Sequence, residues 1–311
     1  MSVNIYNNPK KSLALYGLSE YLDFIINLYN IKKMPKVLML SGKKGIGKFT
    51  LTNHFLNYFY NQNEYDLENK FINKKSSFYK SYIEDSFPNI IHLSADNFKS
   101  VKIDDIRSLK SQLSKSPMIN KERFIILDDV ELFNINSLNA LLKIIEEPTE
   151  NNYFILINNY SRNIIETVHS RSLELKITLS NKKRIQIIDK LIESNNLEPF
   201  IDYKLVNLSP GNFLSYNDIL SSHKIDFKDD YLQNIEKILN LYKKHKDNNL
   251  INLVLLLTNN HFLTLKEKKI YNFEKIIENR SFVLNNINKF VAFNINQNSL
   301  INAINNKLSN E

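Results

Sequence analysis

Short apolar runs recur through the first part of the chain: Lys36–Leu40 (KVLML), Asn89–Leu93 (NIIHL), Arg123–Leu127 (RFIIL), Tyr153–Ile157 (YFILI) and Leu173–Ile177 (LELKI). Each is short and predominantly apolar, and NIIHL, RFIIL and YFILI are rich in β-branched or aromatic residues, the signature of a buried strand. Between them the period changes to that of a helix. Lys48–Tyr60 places Leu51, Phe55 and Phe59 on one face. A second helix is predicted near Ile103–Ser114, and a third is capped by Asn134 or Asn136 and closed before Pro148. Strands alternating with helices predict an α/β domain built on a parallel sheet.

The strand signal stops near Ser180. Lys182–Ser194 reads as an amphipathic helix on Ile185, Ile188 and Leu191, and Phe200–Val206 and Phe213–Leu220 as shorter ones. After a polar break at Ser221–Lys228, helices are expected over Tyr231–Tyr242, Leu250–His261, Lys266–Glu278 and Phe282–Asn305. Their apolar stripes read first as bundle core. Phe290 and Phe293 are expected to be exposed, as interface anchors or otherwise as core.

Composition narrows the chemistry. The chain has 311 residues and no cysteine, which excludes disulfides and thiolate-held zinc. Its six histidines are scattered, with no HExxH spacing, so a metal held by protein side chains alone is not expected. The longest apolar run, Leu250–Thr258, is too short to span a bilayer. The amino-terminal MSVNIYNNPKK lacks an apolar core of the signal-peptide kind, so a cytoplasmic protein is expected. A net charge of +8 permits a polyanionic partner without requiring one.

Glycine carries the sharpest signal. Of only five glycines, Gly42, Gly45 and Gly47 fall within Gly42-Lys43-Lys44-Gly45-Ile46-Gly47-Lys48. Chance would place such a G-x-x-G-x-G-K pattern in a chain of this composition about once in several thousand. It sits between a strand and a helix, where backbone N–H groups and the helix dipole can cradle phosphate, with Lys48 reaching the terminal phosphates. The hydroxyl that normally follows the lysine and ligates Mg²⁺ is replaced by Phe49. Thr50 is the nearest hydroxyl, but it lies ~100° further round the helix. Asp128 ends its strand where a Mg²⁺-shell carboxylate belongs, and Asp129 stands where an ATPase generally carries a glutamate. The candidate nucleotide contacts are therefore Gly42, Gly45, Gly47, Lys48, Thr50 and Asp128. Nucleotide binding is compatible with this set, whereas efficient hydrolysis is not expected.

The order of motifs is G-x-x-G-x-G-K, IDDIR, an apolar strand ending in DD, NALLKIIEEP (Asn139–Pro148) and SRS (Ser170–Ser172). Over about residues 9 to 180 it resembles the clamp-loader branch of the AAA+ proteins. The resemblance implies a P-loop AAA+ domain at 1–178, a small three-helix lid at 179–224 and an all-α collar at 225–311. It implies that Arg171 is an arginine finger reaching a neighbour's ATP site, and that Asn158 or Asn159 stands near a γ-phosphate. It also implies that the helices carrying Lys99, Lys102, Arg107, Lys110, Lys115 and Lys143 track DNA phosphates, with Lys102, Arg107 and Lys143 the main candidates. The implied partners are ATPase subunits and a clamp-opening subunit in a hetero-pentamer, a sliding clamp and primer-template DNA, with no membrane partner.

Departures from the family pattern accumulate on one side. Besides Phe49 and Asp129, Ser209–Phe213 lacks the nucleotide-sensing arginine of motor subunits. The four-cysteine zinc module of many relatives is missing from Asn61–Phe87 or replaced by a hairpin of helices. Eroded hydrolysis beside a retained finger resembles the stator of the ring, a non-catalytic subunit for which ATP would be at most structural. The alternative is an ATP-hydrolysing motor of the same loader, using Asp128 and Asp129. A stand-alone P-loop enzyme such as a kinase would leave SRS and NALLKIIEEP unexplained.

Overall fold

In a computed structural model, residues 8–95, 100–226, 229–268 and 272–309 are described. Lys99, one of the expected DNA-tracking lysines, lies outside them. The chain separates into two compact units, Met1–Leu197 with Leu208–Asn212, and Glu198–Asn207 with Phe213–Glu311.

The first unit is built on five parallel strands: β1 (Val37–Ser41), β2 (Ile90–Ser94), β3 (Arg123–Asp128), β4 (Asn152–Asn158) and β5 (Leu173–Lys176). Their spatial order is β2-β3-β4-β1-β5, so the α/β class read from the alternating pattern is met. The helices are α1 (Ser19–Asn30), α2 (Lys48–Tyr60), α3 (Ser77–Ile83), α4 (Ile103–Leu113), α5 (Ile135–Ile145), α6 (Glu166–His169) and α7 (Asn181–Asn195). Successive side chains of the central strands enter different cores. Leu38, Leu40, Phe124, Ile126, Ile155 and Ile157 pack with Leu22 of α1 and Leu51 and Phe55 of α2. Val37, Met39, Ile125, Leu127, Phe154 and Leu156 pack with Ile106 and Leu109 of α4 and Leu138 and Leu141 of α5. Burial on both faces explains why these strands read as unbroken apolar runs rather than alternating ones.

Of the two alternatives for Asn61–Phe87, a zinc module simply missing or one replaced by a hairpin of helices, the hairpin is not formed. The segment holds one short helix, α3, and a crossing of the chain in which Phe71 bridges to Ala14 and Asp66. The segment instead supplies cover for α2, whose Asn53, His54 and Asn57 are buried although polar. Tyr82 donates to Asn53 Oδ1, Asn53 Nδ2 donates to the Pro9 carbonyl at 2.8 Å, and His54 Nδ1 lies 2.9 Å from the Tyr65 hydroxyl. Polar side chains on a doubly covered helix require such partners.

The second unit is helical. α8 (Pro210–Ser222) begins in the first unit and continues in the second. α9 (Tyr231–His245), α10 (Asn248–Glu267), α11 (Phe273–Phe293) and α12 (Gln297–Ser309) follow, α12 returning to α9. Ile238, Val254, Val283, Ile287 and Ile304 form its interior. Four expectations are corrected here. Lys266–Glu278 is not one helix, because α10 ends at Glu267 and α11 starts at Phe273, capped by Asn272. Phe200–Val206 is a turn rather than a helix, because Asp202 Oδ1 draws in the N–H groups of Lys204 and Leu205. Phe282–Asn305 is two helices, broken at Asn294, whose φ of 50° ends α11 so that the chain can fold back. Phe290 is buried, while Phe293 is exposed. Among the described residues no helix is long and apolar enough to cross a membrane.

Candidate functional site

Strand register collects the site. Ser41 pairs with Asn158 and Leu127 with Leu156, so β1, β3 and β4 deliver Gly42, Asp128 and Asn158 to one carboxyl edge of the sheet. Ligands of open α/β sheets bind at this edge.

The loop Gly42–Gly47 leads directly into α2, with Gly47 as its N-cap at φ 99°. Gly45, at φ 81°, is packed from the other side: its carbonyl accepts the Gly211 N–H at 2.7 Å, and an added Cβ would lie 2.8 Å from Asn212 Oδ1. Both glycines thus meet a conformational demand that a side chain would oppose. Lys48 is buried and donates to the carbonyls of Gly42 (2.5 Å) and Lys43 (2.9 Å). Burial lowers its pKa to about 8 against the opposing pull of Asp128 and the nearby acids Glu131 and Asp129.

The acids divide between two roles. Asp128 accepts the Asp129 N–H at 2.9 Å; burial first, and the Asp129 charge second, raise its pKa to about 6. Asp129, in the left-handed region at φ 52°, pairs with Lys44 at 3.0 Å and accepts from Asn159 Nδ2 at 2.7 Å. It therefore braces the loop and the end of β4. Asn158 sends its carbonyl to the Gly42 N–H and its Nδ2 toward Ser41 Oγ. Of the two asparagines, Asn159 is the one tied to the acids.

Glu131 belongs to no motif in the sequence. It is buried, and its Oε1 accepts from the N–H groups of Asn159 (3.0 Å) and Ser161 (3.3 Å) and from Ser161 Oγ (2.7 Å). Its Oε2 is buried without a partner. The only sequence signal for it is an acid inside the otherwise apolar Val130–Phe133, which a solvated strand end would explain equally well.

Chemically, the loop fits a phosphate: a helix N-terminus, a glycine cradle and a buried ammonium converge on it. It fits a metal shell poorly. Phe49 packs, partly buried, against the core with its ring against His92, centroids 5.1 Å apart, so that position offers no hydroxyl. Thr50 is half-buried in the first turn of α2. Among the described residues no group of His, Asp or Glu is arranged to hold a metal ion.

The other candidates lie elsewhere. Arg171 follows α6, about a third exposed, with Nε 2.9 Å from Glu146 Oε1 and Nη1 3.0 Å from the Thr167 carbonyl. Lys102, Arg107 and Lys143 are exposed on or beside α4 and α5, and Arg107 pairs locally with Asp104.

The family model for "DNA polymerase III, delta subunit" matches residues 17–181, just over half of the chain. The DNA polymerase III subunit tau/gamma of Haemophilus influenzae is 24% identical over 68% of this chain and 30% of its own length. The DNA polymerase III subunit delta' of Bacillus subtilis is 24% identical over 49% of this chain and 44% of its own. The chain thus spans less than half the length of these curated relatives. A gamma subunit-related protein from Thermotoga maritima, 15% identical, superposes with a TM-score of 0.50 over 91% of this chain and 99% of that one, a likeness of fold.

Proposed function

This chain belongs to the DNA polymerase III delta subunit family, a clamp-loader family, and from that premise we propose that it is the stator of a clamp loader acting in DNA replication. In this reading it resembles the delta-prime subunit. It does not hydrolyse ATP itself, and it lends Arg171 to the ATP site of a neighbouring ATPase subunit, where a cation stabilises the charge that develops in phosphoryl transfer. Residues 1–178 would serve as the AAA+ domain, 179–224 as the lid and 225–311 as the collar. The assembly would hold ATPase subunits and a clamp-opening subunit in a hetero-pentamer, grip primer-template DNA through Lys102, Arg107 and Lys143, and load a sliding clamp.

The observation that carries this reading is the contrast between the chain's own loop and its finger. A phenyl ring, packed partly buried against the core and His92, occupies the metal-ligand position at Phe49, while Arg171 keeps part of its side chain at the surface. Gly42, Gly45, Gly47, Lys48, Thr50 and Asp128 would then hold ATP, if at all, as a structural ligand. When bound, the nucleotide would supply phosphate charge for Lys48 and the α2 N-terminus to neutralise.

A motor subunit of the same loader is the second reading, favoured by the retained Lys48 at the start of α2 and Asp128 at the end of β3. Turnover measurements separate the two. A stator shows negligible ATP turnover alone and stimulates a partner ATPase, and Arg171→Ala abolishes that stimulation. Strong turnover by the isolated chain that is lost in Lys48→Ala would establish the motor.

A further inference from the structure

The guanidinium of Arg171 is committed within its own fold. Nε and Nη2 both donate to Glu146 Oε1, while Nη1 donates to the Thr167 carbonyl at 3.0 Å and lies 3.3 Å from Ser170 Oγ. A phosphate group of a neighbouring subunit needs the same planar fork of donors. It can engage the fork only by displacing Glu146.

Glu146 is placed to be displaced. It is the C-cap of α5, where the helix dipole presents its negative end and a carboxylate is unfavourable. Thus it gains from a nearby cation but is not locked to one. The pair is solvent-accessible, with 32% of the Arg171 side chain and 47% of the Glu146 side chain exposed. Accessible ion pairs are weak and readily exchanged. The two residues also come from segments 25 positions apart in sequence, so the pair links α5 to the turn after α6 rather than closing a local cap.

We propose that Glu146 is a positioning residue that parks Arg171 on its own subunit and releases it when a neighbour's nucleotide phosphate competes for the guanidinium. This rests on the reading that Arg171 acts in trans. It adds that Glu146 sets how much neighbouring ATP is needed to recruit the finger. Glu146→Gln keeps the shape and a hydrogen-bond acceptor but removes the competing charge. Glu146→Asp keeps the charge on a shorter stem.

The test uses the assembled complex of the full chain with its partner ATPase, titrated with ATP. Glu146→Gln should lower the KM for ATP of the stimulated activity by about two- to fivefold, the range an exposed ion pair covers, with kcat unchanged. Glu146→Asp should stay near wild type. Thermal melting of each variant should match wild type, since the carboxylate is exposed. A rise in KM, a fall in kcat or an unchanged KM with Glu146→Gln overturns the parking role. Arg171→Ala separates the two claims. If it abolishes stimulation while Glu146→Gln changes nothing, only the parking role fails. If it leaves stimulation intact, the finger reading fails as well.

Discussion

Phe49 stands edge-on to His92, the two rings inclined at 62° with centroids 5.1 Å apart, so the residue after Lys48 packs, partly buried, against the core. His92 is buried enough for its pKa to fall to about 4, so Phe49 meets a neutral ring at physiological pH. Replacing Phe49 by Thr would supply a hydroxyl where a metal ligand is missing, but it also removes this ring packing. Phe49→Thr should lower stability by about 1–3 kcal/mol in urea unfolding. Under the stator reading the isolated chain should still show only background ATP turnover.

Asp128 gives the site a pH signature. Its folded pKa, near 6, lies above the 3.8 of a free aspartate, so the folded chain holds the proton more tightly. The stability this contributes is present below about pH 4 and is lost as pH rises through 6. Asp128→Asn, which keeps an acceptor for the Asp129 N–H, should flatten that fall. At pH 7 it should be more stable than wild type by on the order of 3 kcal/mol, the free-energy equivalent of that shift. Denaturant midpoints measured from pH 4 to 7 decide this. An unchanged profile would show that the carboxylate is solvated.

Gly45 is held by both conformation and space. At φ 81°, with Asn212 Oδ1 and Ser209 Oγ against the place of a Cβ, Gly45→Ala must strain the backbone and push the start of α8 away. The expected loss is about 2 kcal/mol or more, seen as a lowered Tm.

Tyr82→Phe tests the cover over α2. The hydroxyl reaches Asn53 Oδ1 in a buried setting, and its removal leaves an acceptor without a partner. The cost should be about 1–2 kcal/mol. No change would mean that water replaces the hydroxyl.

If Lys102, Arg107 and Lys143 touch DNA in the assembled loader, replacing them by Ala weakens binding at every sequence alike. The slope of log affinity against log salt should also become shallower, by about 0.9 for each duplex phosphate that is no longer neutralised. An unchanged slope assigns these side chains to solvation alone.

What the sequence determined by itself is what local chemistry encodes. Lys48–Tyr60 is a helix with the predicted bounds because the glycines before it and the apolar spacing within it are local signals. The five strands are found within a residue or so of their apolar runs, and in the central β1, β3 and β4 double-sided burial leaves few polar interruptions. Tertiary structure decided whatever depends on partners distant in sequence. Glu131 reads as a strand-end acid until the fold brings Ser161 to it from 30 positions away. In sequence Arg171 is the expected finger for a neighbour, and nothing local signals the Glu146 carboxylate that the end of α5 brings to it. Asn294 is a residue type able to end a helix in the left-handed region, but that the chain turns there so that α12 packs on α9 is decided by the fold. Backbone propensity and burial pattern act over a few residues, whereas a hydrogen-bond partner for a buried or charged group is chosen by topology.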